Sequence, residues 1–221
     1  MCGRFIRTTP IERYAALFSA HGSVELKQSV NIPPGSPILL ARNKAKGGRE
    51  LVALKWGLVP AWSKAPRTEF STINARAETI DEKPTFKSAF RFRRCLIASD
   101  GFIEWQSSAD HPKQPFWIGL ADRKPFAFAG LWERWERDGE TLESCAIIVT
   151  QANALIRTIH DRMPVILSPD QYEAWMSPEE TRVDVLKSLL VPFPSDRMHA
   201  YPISSRINSP RNDSQALLDP L

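Results

Sequence analysis

The sequence predicts an α+β fold with a mostly antiparallel sheet, and three observations support this prediction. The expected elements follow in the order helix, many strands, helices and coil, which is typical of the α+β class. Regular alternation of strand and helix is absent, and so is a glycine loop of the phosphate-binding type. With 221 residues, 43% of them hydrophobic, the chain is long enough for one sizeable core. We therefore expect a single domain over residues 1–221.

The helices are predicted from capping residues. Thr9 supplies an N-cap, Pro10 a first-turn proline and Glu12 the acid of a capping box, for a helix that ends at about Ala20, before Gly22. Near the C-terminus, the same pattern predicts two more helices, around Trp175 and around residues 186–190. Their predicted starts are Ser168 with Gln171 and Ser177 with Glu180.

The strands are predicted from short runs of apolar, β-branched or aromatic residues bounded by turn formers. Eighteen prolines are scattered through the connections, and no internal repeat interrupts the pattern. The strand candidates are Ile38–Ala41, Leu51–Trp56, Cys95–Ala98, Phe116–Leu120, Phe126–Leu131 and Cys145–Thr150.

Composition argues against several classes of protein. No apolar run approaches the roughly 18 residues needed to cross a bilayer, and no apolar segment follows Arg4 and Arg7, so we expect a soluble, cytoplasmic protein without a membrane partner. Cys2, Cys95 and Cys145 are odd in number, widely separated and form no C-x-x-C pair, so neither a disulfide framework nor a zinc site is predicted. A net charge of +4 permits an anionic partner but indicates it only weakly.

The N-terminus can present two nucleophiles on adjacent carbons. An initiator Met is commonly removed before a small residue, so we expect Met1 to be trimmed and Cys2 to become terminal. A terminal Cys carries an amine with a pKa of roughly 8 and a thiol with a pKa of roughly 8.5. The amine can condense with an aldehyde to a Schiff base, and the thiolate can close a thiazolidine ring on the same carbon. Gly3 would let the backbone of a partner such as DNA approach closely. Position alone does not decide this, since a Cys in second place can be incidental.

Eight sequence blocks occur together in this chain, and their order is as informative as their content. The blocks are Met1–Arg4, Trp56–Trp62, Ile73–Thr79, Arg94–Ile97, Asp100–Trp105, Lys113–Phe116, Phe128–Glu133 and Ile159–Pro164. In the same order and over nearly the whole chain, they resemble the SOS-response-associated peptidase (SRAP) family, and the resemblance continues through Ile203–Ser204 and Ile207–Asn208. Each block alone is weak, but chance agreement of so many in order is negligible.

The resemblance implies a single compact domain with a barrel-like core, flanking helices and a basic groove for single-stranded DNA. The implied activity is a covalent crosslink between Cys2, at the centre of the groove, and an abasic site in that DNA. It also implies a monomer that acts in the DNA damage response, with self-processing at Met1 and strand cleavage as further activities. It implies no cofactor and no metal.

Three further residues match the catalytic positions of the family. The resemblance implies that Asn74 orients the amine of Cys2 or the sugar, that Glu104 is the general acid/base, and that His160 protonates the ring oxygen of the deoxyribose. Such groups are chemically required, because an abasic sugar is mostly a closed hemiacetal that must open to expose its aldehyde. The residues alone leave alternatives open: a structural ion pair for Glu104, a helix end for His160 and a turn for Asn74.

The DNA-binding residues are predicted from side-chain type as well as from resemblance. Arg4 and Arg76 can grip phosphates through two parallel hydrogen bonds, and Trp62 can stack on an unpaired base or wedge beside it. Pro34 lies in a segment, residues 31–35, that resembles the groove loop of the family. Trp62 could equally be a core residue.

Other classes of function share some of these features. N-terminal-nucleophile amidohydrolases also begin Met-Cys-Gly, but the glutamine-pocket signatures that accompany this start are missing from the rest of the chain. A non-catalytic module that binds single-stranded DNA needs only basic residues and exposed aromatics. Such a module would tolerate the loss of Cys2, which separates it from the crosslinking hypothesis.

Overall fold

The computed structural model describes residues 2–69, 71–107 and 112–221, and these residues form short helices and two β-sheets. Met1, whose removal the sequence predicts, lies outside the described residues. Within these ranges, no helix is both long enough and apolar enough to span a membrane. The helices are α1 (Ile11–Phe18), α2 (Lys87–Phe92), α3 (Tyr172–Met176) and α4 (Val183–Ser188). The strands are β1 (Phe5–Arg7), β2 (Ala20–His21), β3 (Ser29–Ile32), β4 (Pro37–Asn43), β5 (Arg49–Trp56), β6 (Asn74–Arg76), β7 (Arg94–Ser99), β8 (Gly101–Gln106), β9 (Gln114–Leu120), β10 (Phe126–Arg137), β11 (Glu140–Gln151), β12 (Arg162–Pro164), β13 (Ile166–Leu167) and β14 (Met198–Pro202).

Five strands of the larger sheet close into a barrel, in the order β5, β4, β7, β10 and β11. Four of the pairings are antiparallel, and the fifth, between β11 and β5, is parallel, with Cys145 opposite Trp56. A closed ring with an odd number of strands cannot alternate direction throughout, so one parallel pair is geometrically required. The predicted α+β fold with a mostly antiparallel, barrel-like core is confirmed.

A second sheet has five strands in the order β14, β9, β8, β1 and β3, all paired antiparallel. One face packs on the larger sheet through an apolar cluster that contains Phe5, Phe102 and Cys2. The opposite face packs against the C-terminal segment through Ile103 and Ile207. The first residues of the chain are therefore held between the two sheets.

All six predicted strands are present, and β10 and β11 extend to 12 residues each. The first predicted helix is also present as α1, but its predicted N-cap is wrong. The cap position belongs to Pro10, without a side-chain hydrogen bond, while the Thr9 hydroxyl donates to Asp100 Oδ1 at 2.7 Å. An N-cap oxygen accepts a hydrogen bond from a helix N–H, whereas this hydroxyl is oriented by its own donation to a carboxylate, which is a strong acceptor.

The two C-terminal capping patterns have different outcomes. Ser168 and Gln171 form the predicted capping box, which leads through a short 3-10 turn into α3. The predicted start at Ser177 is wrong, because α4 begins only at Val183. Glu180 instead accepts a hydrogen bond from the backbone N–H of Arg182 at 2.9 Å, so the acidic residue closes a local turn ahead of the helix.

Candidate active site

The pairing of β1 with β8 brings the start of the chain to Glu104. These strands are antiparallel, with Phe5 opposite Phe102. Continuing this register by two residues places Gly3 opposite Glu104, so the segment before β1 runs alongside the carboxyl group. Cys2 is completely buried next to this segment, whereas Gly3 is half-buried.

The thiol of Cys2 lies in an apolar environment, with its Sγ 4.0 Å from the carbonyl oxygen of Arg4. Burial raises the pKa of Cys2 well above the ordinary range of a thiol, and the nearby carboxyl of Glu104 raises it further. The sulfur is therefore held as a neutral thiol at neutral pH, and it needs a proton acceptor before it can act as a nucleophile.

Glu104 lies on β8 with only 2% of its surface exposed. Burial raises the pKa of its carboxyl from 4.5 to about 7, because the charged form loses the solvation that water provides. A group that titrates near neutral pH can both accept and donate a proton there, which is the property of a general acid/base.

His160 and Glu104 line the same cavity, of about 490 Å³. The backbone N–H of Arg162 donates to His160 Nδ1 at 3.0 Å, so a neutral ring carries its own proton on Nε2. Burial lowers the pKa of His160, which favours this neutral form. Asp161 Oδ1 lies 2.9 Å from Nδ1 and can stabilise the ring when Nδ1 gains a proton. The cavity is lined by Glu104, Trp105, Ser107, Lys113, His160 and Asn208.

Asn74 lies in a neighbouring cavity of about 720 Å³, together with Trp62 and Arg76. Its amide nitrogen donates to the carbonyl of Ile73 at 3.2 Å, whereas its Oδ1 is buried without a hydrogen-bond partner in the described part of the chain. An unpartnered buried acceptor in a cavity is suited to a donor from a ligand. The predicted site residues are thus divided, with Asn74 outside the cavity that Glu104 and His160 share.

A third cavity, of about 390 Å³, adjoins the cavity of Asn74, with which it shares Arg76 and Thr79. Asp161, next to His160 in the chain, lines it at one end, and Arg76 lines both this cavity and that of Asn74. We call these three cavities the row of cavities, in the order that these residues give: the cavity of Glu104 and His160, the cavity of Asp161, and the cavity of Asn74.

Three of the predicted DNA contacts are exposed, and two of them, Trp62 and Arg76, line the row of cavities. Trp62 exposes 62% of its surface, so it is not a core residue. The side chain of Arg76 makes no hydrogen bond or ion pair with any other described residue, so it is available to a phosphate. Pro34 is exposed in a turn that Gly35 allows by its positive φ of 87°.

Arg4 is placed differently from Arg76. It is half-buried, and its Nη1 donates to Asn31 Oδ1 and to the carbonyl of Ile207 at 3.3 Å. The guanidinium lies 5.8 Å from the centre of the Trp105 ring. Arg4 therefore ties the start of the chain to the C-terminal segment, and its contact with DNA stays a prediction.

Several residues of the row escaped the sequence-based prediction. Lys113 and Asn208 occur in blocks that carry the family resemblance, but no role was predicted for them; Asp161 follows the predicted His160 directly. Within the described residues, no group of three or more His, Cys, Asp or Glu side chains is placed to hold a metal ion. The three cysteines are free thiols.

The fold and the site define a class of proteins in which a barrel and a second sheet hold a cysteine at the start of the chain beside a buried acid/base group. Residues 1–210 match the family model described as SOS response associated peptidase (SRAP), and the chain belongs to this family.

Relatives and solved structures are similar over almost the entire chain. The abasic site processing protein YoaM of Bacillus subtilis is 42% identical, over 99% of this chain and 98% of YoaM. The abasic site processing protein YoqW of Bacillus phage SPbeta is 40% identical, over 99% of both chains. A crystal structure of a Bacteroides thetaiotaomicron protein covers all of both chains with a TM-score of 0.88 at 29% identity.

Proposed function

We propose that this protein processes abasic sites in single-stranded DNA, by forming a thiazolidine crosslink through Cys2 after Met1 has been removed. The observation that carries the proposal is the burial of Cys2 beside Glu104, with His160 lining the same cavity as that carboxyl. The names of YoaM and YoqW, both abasic site processing proteins, support the choice of substrate.

The first step opens the closed sugar. The Glu104 carboxylate accepts the proton of the C1′ hydroxyl while the bond between C1′ and the ring oxygen breaks. His160 acts in its protonated form, in which Asp161 accepts the proton on Nδ1; it donates its Nε2 proton to the ring oxygen and becomes neutral. The products are an aldehyde at C1′ and a hydroxyl at C4′, and no proton is gained or lost overall.

The second step joins the protein to the aldehyde. The amine of Cys2 adds to C1′, and protonated Glu104 supplies the proton with which the hydroxyl leaves as water, giving an imine. The thiol then adds across the C=N bond, so that sulfur bonds to C1′ and its proton passes to nitrogen through Glu104. The raised pKa of the thiol makes this proton acceptor necessary. One water is released in total.

The thiol is tested by Cys2→Ser, which keeps the terminal amine and a small second residue. We expect the variant to form an imine with abasic single-stranded DNA that a hydride reductant traps, but no adduct that survives a denaturing gel without reduction, because oxygen closes a less stable ring. Cys145→Ser, at another buried cysteine, is the matched control and should crosslink as the wild type does. An unreduced Cys2→Ser adduct of wild-type stability would rule out the thiazolidine.

The amine is tested by blocking it, either by retaining Met1 or by acetylation, with the mass confirmed. We expect both the trapped imine and the stable adduct to disappear while binding to intact DNA persists. Crosslinking at the normal rate by the blocked protein would overturn the N-terminal mechanism.

Two further activities can be measured with the same proteins. Cleavage of the DNA strand is visible on the same gel. Mass spectrometry of freshly made Cys2→Ala and wild-type protein shows whether removal of Met1 requires the thiol.

A binding module for single-stranded DNA, without chemistry, is a second candidate. The exposure of Trp62 and the unengaged side chain of Arg76 favour it, because stacking and phosphate contacts suffice for such binding. In that case Cys2→Ser would leave every measured property unchanged, and no trapped imine would form with the wild type. An amidohydrolase would instead hydrolyse glutamine, which we expect this protein not to do.

A further inference from the structure

Asn208 presents hydrogen-bond donors to the cavity that Glu104 and His160 share. The indole N–H of Trp105 donates to Asn208 Oδ1 at 2.7 Å. An indole N–H can only donate, so the carbonyl side of the Asn208 amide faces Trp105 and the NH2 group faces away from it. In the described part of the chain, this NH2 group has no acceptor, although the residue lines the cavity.

The backbone on either side of Asn208 is held by hydrogen bonds from Asn31 and Arg4. Asn31 exposes only 2% of its surface, and its side-chain amide donates to the carbonyls of Ser209 at 2.9 Å and Asn212 at 2.7 Å. Arg4 donates to the carbonyl of Ile207, the residue before Asn208. Asn31 thus holds the backbone that follows Asn208, and Arg4 holds the backbone that precedes it. Together these bonds fix the position of Asn208 relative to the start of the chain.

Lys113 and Ser107 line the same cavity as Asn208. Lys113 brings a positive charge, Ser107 a hydroxyl and Asn208 two N–H donors. Donors of this kind, around one cation, are suited to the oxygens of a phosphate, and most hydrogen bonds from proteins to DNA end on phosphate or sugar. Glu104, whose carboxyl lines the same cavity, is buried and is about half neutral near pH 7.

We propose that Lys113 and Asn208 form a phosphate subsite, which holds the DNA strand on the side of the reacting nucleotide opposite to Arg76. The proposal rests on the proposed function, in that the ligand is single-stranded DNA. Arg76 lines the other two cavities of the row and not the first, whereas Asn208 lines only the cavity of Glu104 and His160. Phosphates held on both sides would fix the C1′ atom between them, over Glu104.

The test measures binding to single-stranded DNA that contains a tetrahydrofuran abasic analogue, which has no aldehyde and cannot crosslink. A set of such strands carries one neutral methylphosphonate each, at a different linkage near the analogue. The variants are Asn208→Asp, which keeps the acceptor for Trp105 and replaces the NH2 donors by a negative charge, and Lys113→Gln. The matched control is Gln215→Glu, an exposed residue of the same C-terminal segment that lines a different cavity.

We expect Asn208→Asp and Lys113→Gln each to weaken binding of the unmodified strand about tenfold, as for loss of a charge-assisted hydrogen bond. On one modified strand the loss should shrink to about twofold or less, and both variants should identify the same linkage. Gln215→Glu should bind as the wild type does. Equal losses on every strand, no loss, or linkages on opposite sides of the analogue would each overturn the subsite, as would a wild type that does not bind DNA.

Crosslinking to a true abasic strand is measured in parallel with the wild type. A failure of that reaction, with the phosphate-specific losses intact, would reject the covalent chemistry and leave the subsite standing. The thermal midpoints of both variants are compared with the wild type, and the Asn208→Asp result is decided by its dependence on the linkage, which a folding defect cannot produce.

Discussion

The carboxyl of Glu104 couples the stability of the protein to pH. Its folded-state pKa of about 7 lies above the ordinary 4.5, so the folded protein holds this proton more tightly than the unfolded chain. The contribution of Glu104 to stability is therefore full below pH 4.5, and up to about 3 kcal/mol of it is lost as the pH rises through 7. The Glu104→Gln variant has a neutral side chain at every pH, so it does not show this pH-dependent loss of stability. Urea unfolding from pH 4.5 to 8 should show the variant gaining relative stability as the pH rises, and a constant difference would contradict the raised pKa.

The same substitution separates chemistry from binding. Glu104→Gln keeps the size of the side chain but removes proton transfer, so adduct formation should slow about 100-fold while affinity for intact single-stranded DNA stays unchanged. Glu12→Gln, at an exposed carboxylate on α1, should leave both quantities as they are. Equal losses of binding and rate in Glu104→Gln would point to a structural role for the carboxyl.

At the scale of single elements, β6 delivers Arg76 to the row of cavities. Because a phosphate contact releases counterions, Arg76→Ala should reduce the slope of log affinity against log salt concentration by about 1 for intact single-stranded DNA. Arg13→Ala, at an exposed residue of α1, should leave the slope unchanged. Titrations at several salt concentrations measure both, and equal slopes for wild type and Arg76→Ala would exclude Arg76 from phosphate binding.

Arg94 joins the ends of α2 and α3 through backbone carbonyls. The residue is 5% exposed, and its guanidinium donates to the carbonyls of Phe90, Arg91, Trp175, Ser177 and Glu180. Arg94→Met would leave these acceptors buried without donors, and we expect it to lower the free energy of unfolding by about 3 kcal/mol. Arg91→Met, whose side chain is exposed, should change it by less than about 0.5 kcal/mol. A loss below about 1 kcal/mol in Arg94→Met would show that other donors replace the guanidinium.

The elements that the sequence predicts well are those whose pattern is local. The six apolar runs became strands because their residues favour an extended, buried backbone irrespective of the partner strand. The cap at Thr9 failed because a distant carboxylate, Asp100, competes for its hydroxyl. The short strands β1 and β8 carry no clear alternation, so only their pairing, which is a tertiary event, defines them.

The site was predictable in its members but not in its arrangement. Cys2, Glu104 and His160 are far apart in the chain, and the family resemblance supplied them as candidates. Their proximity arises from the register of β1 on β8 and from a shared cavity, neither of which local patterning can specify. Asn208 escaped prediction because its importance depends on a hydrogen bond from Trp105 across the fold.

At the scale of the whole molecule, some strands of the barrel are paired with a neighbour along both edges. β4, β7 and β10 each have neighbours on two sides within the ring, whereas β2 and β14 lie at the ends of their sheets. Amide hydrogens of the three ring strands should therefore exchange slowest, at rates set by global unfolding, and those of β2 and β14 several orders of magnitude faster. Protection of β2 equal to that of β7 would contradict this order.

The position of β1 also determines how the protein responds to force. β1 is an internal strand, with β8 on one side and β3 on the other, and Cys2 lies three residues before it. A pull on Cys2 along the axis of β1 loads the hydrogen bonds to both neighbours in shear, together rather than one after another as in unzipping. A strand at the edge of the sheet would share such a load with a single neighbour. A molecule bonded covalently to Cys2 is thus attached close to an internal strand of the sheet. A motor protein that pulls on this molecule must break the hydrogen bonds to both neighbouring strands at the same time.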